Sequence, residues 1–325
     1  MKLNEPVQEL EILTTGYTET RLKALCRKFG GVLLFLLLLS ACTPKSETVT
    51  DRAGNTVALN GEHNRIISAA PSNTEILLGL GLGDKLVAVD SISAGVPGVP
   101  ANIARIDFSY PDGEVIVGLN PDLIIAAGHN QTVSGEDPFA LIKEMGIAVV
   151  YIPTSKTIDS IYADIRFLGD ILGVEERAEE MVREMKAKVD SIAEIGASIR
   201  EKRSVYFEMT YPPYMVTIGR DNYITEMITV IGAYNVFAGE PDWFTPAVEA
   251  IIERNPDVIL TMGSADSNYI FDIQNRPGFE HITAVKNGDI HTVDIDSVSR
   301  PSQHIVPALE QMARAVYPDA YENYR

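Results

Sequence analysis

Cysteine is nearly absent: of 325 residues only Cys26 and Cys42 are thiols, and none follows Cys42. Internal disulfides, CxxC redox pairs, zinc-thiolate sites and a cysteine nucleophile are thereby excluded from the main body. Positive charge is also scarce. Twenty-seven Lys and Arg stand against 45 Asp and Glu, a formal charge of −18, which repels a phosphate backbone and excludes general nucleic-acid binding. The five histidines, at 63, 129, 281, 291 and 304, form no run, which speaks against a free zinc or manganese carrier, although ligands distant in sequence leave that alternative open. There is no HExxH, nucleophile elbow or phosphate loop, and nothing singles out one carboxylate pair among many. No catalytic residue, metal ligand or resident cofactor is assigned, and an exported α/β enzyme stays only as an alternative. What the chain does have is 46% hydrophobic residues, enough to bury a core, over a length that suits two domains.

The longest apolar run, Val32 to Leu39, has eight residues, far below the ~20 that span a bilayer. Arg21, Lys23, Arg27 and Lys28 precede it and Ser40-Ala41-Cys42 follow, the order of an export signal. Leu39-Ser-Ala-Cys42 resembles the bacterial lipobox, in which cleavage precedes the cysteine and the cysteine is lipidated. The expectation is a lipoprotein signal over residues 1–42, with Cys42 acylated and palmitate among its lipids. A tether follows over 43–50, and the body is anchored without spanning, outside the cytoplasm.

Self-similarity organises the rest. Glu114-Val-Ile-Val-Gly-Leu-Asn-Pro-Asp-Leu-Ile-Ile-Ala-Ala-Gly128 aligns without gaps on Glu249-Ala-Ile-Ile-Glu-Arg-Asn-Pro-Asp-Val-Ile-Leu-Thr-Met-Gly263. Thr74-Glu75 similarly matches Thr225-Glu226. In both copies Asn-Pro-Asp ends a helix, because proline bars the preceding residue from helical geometry. The short unalternating apolar runs that follow suit parallel strands covered on both faces. Further strands are expected at 65–68, 85–89, 148–152, 204–209 and 290–293. Between the copies, Ala178, Val182, Met185, Val189, Ile192, Gly196 and Ile199 repeat every three or four residues, which predicts one helix of nearly ~40 Å. The same spacing fits a coiled-coil dimer. The expectation is an α/β fold of two Rossmann-like lobes, 51–173 and 203–320, joined by a helix over 174–202.

Arg65-Ile-Ile-Ser-Ala-Ala-Pro-Ser-Asn-Thr-Glu-Ile-Leu-Leu-Gly-Leu-Gly, the Asn-Pro-Asp strand, Arg166-Phe-Leu-Gly-Asp-Ile-Leu-Gly173, Val285-Lys-Asn-Gly-Asp-Ile290 and Ser299-Arg-Pro301 together resemble the cobalamin and ferric-siderophore binding proteins of ABC importers. That resemblance implies a periplasmic-binding-protein-like fold of the helical-backbone type, a monomer, a cobalamin, other corrinoid or ferric siderophore between the lobes, and an ABC permease with its ATPase as partner. Haem is a further ligand to consider. The acidic charge and scarce arginine lean against a strongly anionic siderophore.

The resemblance also assigns roles. Glu75 and Glu226 match positions that meet permease arginines, one on each lobe. Ser72-Asn-Thr-Glu75 is equally a capping box, S-x-x-E, whereas Glu226 has Tyr223 at the matching place. In Glu240-Pro-Asp-Trp-Phe-Thr-Pro246 the only tryptophan lies between prolines, hence in a loop. The family carries ligand-contacting aromatics there. Tyr110, Trp243, Phe244 and Arg300 are expected to face one another across the cleft, with His129 beside them. Either aromatic could instead be core packing.

Overall fold

A computed structural model describes residues 46–131, 137–210, 212–263 and 268–324. The export signal, Cys42 and the first tether residues lie outside the described residues. Ser46–Thr50 (β1) and Thr56–Asn60 (β2) form a hairpin. Asp51 builds its turn: Oδ1 accepts the N–H groups of Ala53 and Asn55, and Oδ2 accepts that of Tyr151. Residues 46–50, expected as tether, therefore belong to a strand. Their short polar side chains carry almost no apolar signal.

Ile66–Ser68 (β3), Leu86–Asp90 (β4), Ala104–Ile106 (β5), Leu123–Ala127 (β6) and Ala148–Ile152 (β7) make an all-parallel sheet in the order β5-β4-β3-β6-β7. In the second lobe come Ser204–Glu208 (β8), Thr217–Ile218 (β9), Tyr234–Asn235 (β10), Trp243–Phe244 (β11), Val258–Met262 (β12) and Ile290–Val293 (β13). There β10-β8-β12-β13 is parallel, and β9 with β11 forms an antiparallel ribbon. The helices that matter below are Pro71–Gly79 (α1), Gly113–Gly118 (α2), Ala140–Glu144 (α3), Ile158–Ile171 (α4), Glu175–Ser198 (α5), Tyr223–Val230 (α6) and Val248–Arg254 (α7). Every residue of β6, β8 and β12 is buried, as strands covered on both faces must be.

The repeated Asn-Pro-Asp performs the same operation twice. Asn120 and Asn255 take left-handed φ of 48° and 45°, a conformation asparagine tolerates at helix ends. Each aspartate then clasps the neighbouring strand. Asp122 Oδ2 accepts the N–H groups of Asn64 and Arg65, and Asp257 Oδ2 accepts the N–H and hydroxyl of Ser204.

Helix α5 ends at Ser198, and Ile199 caps it in extended geometry. Its apolar stripe packs into one core with Ile76 and Leu77 of the first lobe and Val205, Phe207 and Ile228 of the second. The stripe is thus covered by the chain's own lobes, leaving no seam for a coiled-coil partner. The tail completes this join beyond residue 320: the buried Tyr321 hydroxyl donates to the Ile192 carbonyl at 3.0 Å. At Gly196 the helix meets the turn after α6 so closely that a Cβ would lie 2.2 Å from the Val230 carbonyl oxygen.

Gly196→Ala should therefore lower the unfolding free energy by about 2 kcal/mol, the scale of forced overpacking against backbone. Gly118→Ala, where a Cβ meets nothing within 4 Å, should not lower it. Urea denaturation of both variants checks this.

Candidate ligand-binding site

All the connections at the carboxyl ends of the first sheet reach one cavity. Ala70 follows β3, Ile92 follows β4, Phe108 follows β5, Ala127 ends β6, and Thr154 and Ser155 follow β7. Strand order reverses at β3, and successive helices leave there to opposite faces, so the loops part and a crevice opens. The second lobe closes the opposite wall with Tyr223, Asp242, Trp243 and the segment around Arg300. The enclosed volume is about 590 Å³, within the ~300–1,000 Å³ usual for small-molecule sites.

Each lining group is held from behind. Asn130, buried at the turn after β6, accepts the Ala127 N–H at 2.7 Å and donates to the Phe108 carbonyl at 2.8 Å. Its amide therefore ties two cavity loops together. Ser155 donates to the buried Asp164 at 2.7 Å, and Arg52 of the hairpin turn donates to the same carboxylate at 2.6 Å. Burial pushes the Asp164 carboxyl upward despite these two partners. Across the cavity, Asn222 caps α6 by accepting the Ile224 N–H and donates to Asp242. Trp243 sits in the β9–β11 ribbon, where Gly219 passes 2.3 Å, measured from an added Cβ, from the Glu240 and Pro241 carbonyls. Only glycine permits that approach.

Trp243 and Arg300 line the cavity, as expected, but Tyr110 and Phe244 do not. Trp243 and Phe244 form a strand, so their side chains point opposite ways. Phe244 turns inward and meets Phe237 edge-on at 5.3 Å. Tyr110 is exposed, and Phe108 takes the first lobe's aromatic place. Asp107 Oδ1 accepts the N–H groups of Ser109 and Tyr110, a tight turn that faces Phe108 and Tyr110 differently. The His129 side chain lies outside the described residues. Among the described residues, no three His, Cys, Asp or Glu side chains gather so as to hold a metal ion.

Glu75 corrects the docking assignment. It is 3% exposed, because its carboxylate crosses into the second lobe. Oε1 accepts from Arg300 at 2.8 Å and Oε2 from Ser302 at 2.6 Å, and Gln303 donates to the Glu75 carbonyl. The capping box is not formed either: α1 begins at Pro71 after Ala70, with no side-chain cap. Glu226 crosses the other way, accepting the N–H of Ile158, the first residue of α4, at 2.7 Å. Burial pushes its carboxyl up, the Ile158 N–H opposes this, and nearby Asp159 adds to it. Glu75 is thus an inward strut, and Glu226, which stays partly exposed, also reaches across to the other lobe. The acids that do face outward are the first residues of the repeat, Glu114 and Glu249, each exposed in the first turn of its helix. Each follows its cavity aromatic, Phe108 or Trp243, at the same interval of six residues.

Glu75→Ala should destabilise by about 3 kcal/mol, the lower end of the cost of stranding one partner of a buried pair, since Asp296 still holds Arg300. Glu114→Ala and Glu249→Ala should stay within about 0.5 kcal/mol of wild type. Urea titration followed by Trp243 fluorescence distinguishes them.

A family model described as periplasmic binding protein matches residues 66–296. An uncharacterized ABC transporter substrate-binding lipoprotein of Bacillus subtilis, YvrC, is 31% identical over 277 residues, 85% of this chain and 87% of that one. The structure of a possible iron-binding periplasmic solute-binding protein from Staphylococcus epidermidis aligns with a TM-score of 0.71 at 34% identity, over 79% of this chain and 99% of that one. The periplasmic vitamin B12-binding protein BtuF of Vibrio cholerae aligns with a TM-score of 0.64 at 26% identity, over 80% and 99%. These relatives are binding proteins, not enzymes. With two parallel-sheet lobes, a single long connecting helix and a cavity at the strands' carboxyl ends, the chain belongs to the periplasmic binding protein family.

Proposed function

We propose that this chain is the substrate-binding protein of an ABC importer, working outside the cytoplasmic membrane. It captures a bulky metal chelate, a cobalamin or other corrinoid ahead of a ferric siderophore, and hands it to a permease driven by its ATPase. The observation that carries this reading is the cavity itself, walled by aromatics from both lobes, Phe108 on one side and Tyr223 and Trp243 on the other, with mostly small and apolar groups between them and three charged side chains, Asp242, Asp296 and Arg300. Such a lining suits a broad ligand with an extended rigid face, because aromatic rings supply large rigid contact area. The relatives point the same way: one is titled a vitamin B12-binding protein, another a possible iron-binding protein. A corrinoid is larger than 590 Å³ and would protrude through the mouth. The body acts as a monomer held to the membrane by lipid on Cys42, as the lipobox implies.

Cyanocobalamin absorbs where tryptophan emits, so it should quench the Trp243 fluorescence saturably at one equivalent. Phe108→Ala and Trp243→Ala, the latter measured by calorimetry, should each weaken binding about tenfold or more, the scale of losing an aromatic anchor. Unchanged affinity in both would make the aromatics packing and remove the main support for this reading.

Docking follows from the outward acids. Glu114 and Glu249 each stand six residues beyond a cavity aromatic, at equivalent places of two similar lobes, which fits a permease built from two like halves that each present arginine. Changing both to Ala should abolish uptake of labelled cyanocobalamin in cells while its affinity in solution stays within about threefold. Loss of affinity in step with uptake would argue against docking.

A further inference from the structure

We infer that the cavity sorts chelates by charge, accepting neutral and cationic ones and refusing polyanions, with Asp242 and Asp296 as the residues that set the preference. The inference rests on the cavity being the chelate site. Among the described lining residues only Asp242, Asp296 and Arg300 are charged. Arg300 is thus the one cation there, and each of its terminal nitrogens already meets a carboxylate. Nη1 donates to Glu75 at 2.8 Å, and Nη2 lies 2.5 Å from Asp296 Oδ1. Counting the Glu75 carboxylate behind the wall, one positive charge faces three negative ones. The guanidinium is thus overmatched before any ligand arrives. Asp242 spends one oxygen on the Asn222 amide and has no cation beside it among the described residues.

One feature opposes this excess. The start of α1 at Pro71 and Ser72 lines the cavity, and a helix amino terminus carries roughly half a positive charge. Proline at its first position has no N–H to offer, and half a charge does not offset a net of two. The body around the cavity adds to the bias, since the whole chain carries −18. A trianionic ferric catecholate would have to enter against this field without a free cation to meet it, whereas a cationic corrinoid is drawn in.

The test uses four probes on the full mature protein: diaquacobinamide as cation, cyanocobalamin and ferrichrome as neutral corrinoid and neutral ferric chelate, and ferric enterobactin as trianion. Affinities are measured by calorimetry at low and raised salt, on wild type and on Asp242→Asn/Asp296→Asn, whose fold is checked by urea denaturation. For the wild type, the ratio of diaquacobinamide to cyanocobalamin affinity should exceed one at low salt and shrink as salt screens it. Ferric enterobactin should not bind. The double variant should lower that ratio about tenfold. Ferric enterobactin binding as tightly as cyanocobalamin, or an unchanged ratio in the double variant, would overturn the charge assignment while leaving the chelate reading intact. Failure of all four probes to bind would overturn the chelate reading and this inference with it.

Discussion

A carboxylate buried between two lobes dictates much of what surrounds it. Glu75 sits on α1 of one lobe, and its carboxylate can be buried at 3% exposure because Arg300 and Ser302 of the other lobe donate to it, while Gln303 holds the backbone carbonyl of the same residue. The requirement fixes where segment 300–303 must lie and hence the distance between the walls of the cavity. It also engages the one cation among the described residues of those walls. Spacing and charge of the site therefore follow from one desolvated ion pair.

The second strut, Glu226 on the Ile158 N–H, gives the arrangement a rough two-fold character. Each lobe sends a glutamate from its first helix into the opposite lobe, just where that lobe's last long helix begins: α4 at Ile158, and the helix Ile305–Val316 shortly after Ser302. The two crossings differ in strength, since one is a charge pair and the other a single N–H donor. Helix α5 adds the non-directional part of the join, a core continuous through both lobes. One buried and one part-buried polar crossing, with a shared core, hold the two lobes together.

The repeat marks the division of labour within each lobe. Its Asn-Pro-Asp clasps adjacent strands at the end away from the cavity, its apolar tetrads fill the sheets, and its leading glutamates stand outside. Stability, core and surface each take a different part of the same fifteen residues. Of the two copies only Ala127 lines the cavity; the rest of its described lining comes from segments outside them.

Two parallel-sheet lobes, the helix between them and the strands around Asn-Pro-Asp were legible in the sequence, because burial on both faces forces unbroken apolar runs and a buried helix stripe forces a three-to-four spacing. Trp243 at the cavity was expected from the family resemblance, whereas its place between prolines suggested a loop and the structure gives a two-residue strand. The two-residue strand at Trp243–Phe244 and the turn at Asp107 decided which aromatic of each neighbouring pair looks inward, since a shift of one or two residues along the chain reverses a side chain's direction. Glu75 went astray for a related reason. Ser72-Asn-Thr-Glu75 suggests a local cap, and the match with Glu226 suggests a surface pair, but the partner that claims the carboxylate is 225 residues away. Local pattern determined which residues build each layer. Only the tertiary structure, by bringing Arg300 to Glu75 and leaving Glu114 and Glu249 in solvent, decided which charges hold the lobes together and which stay exposed.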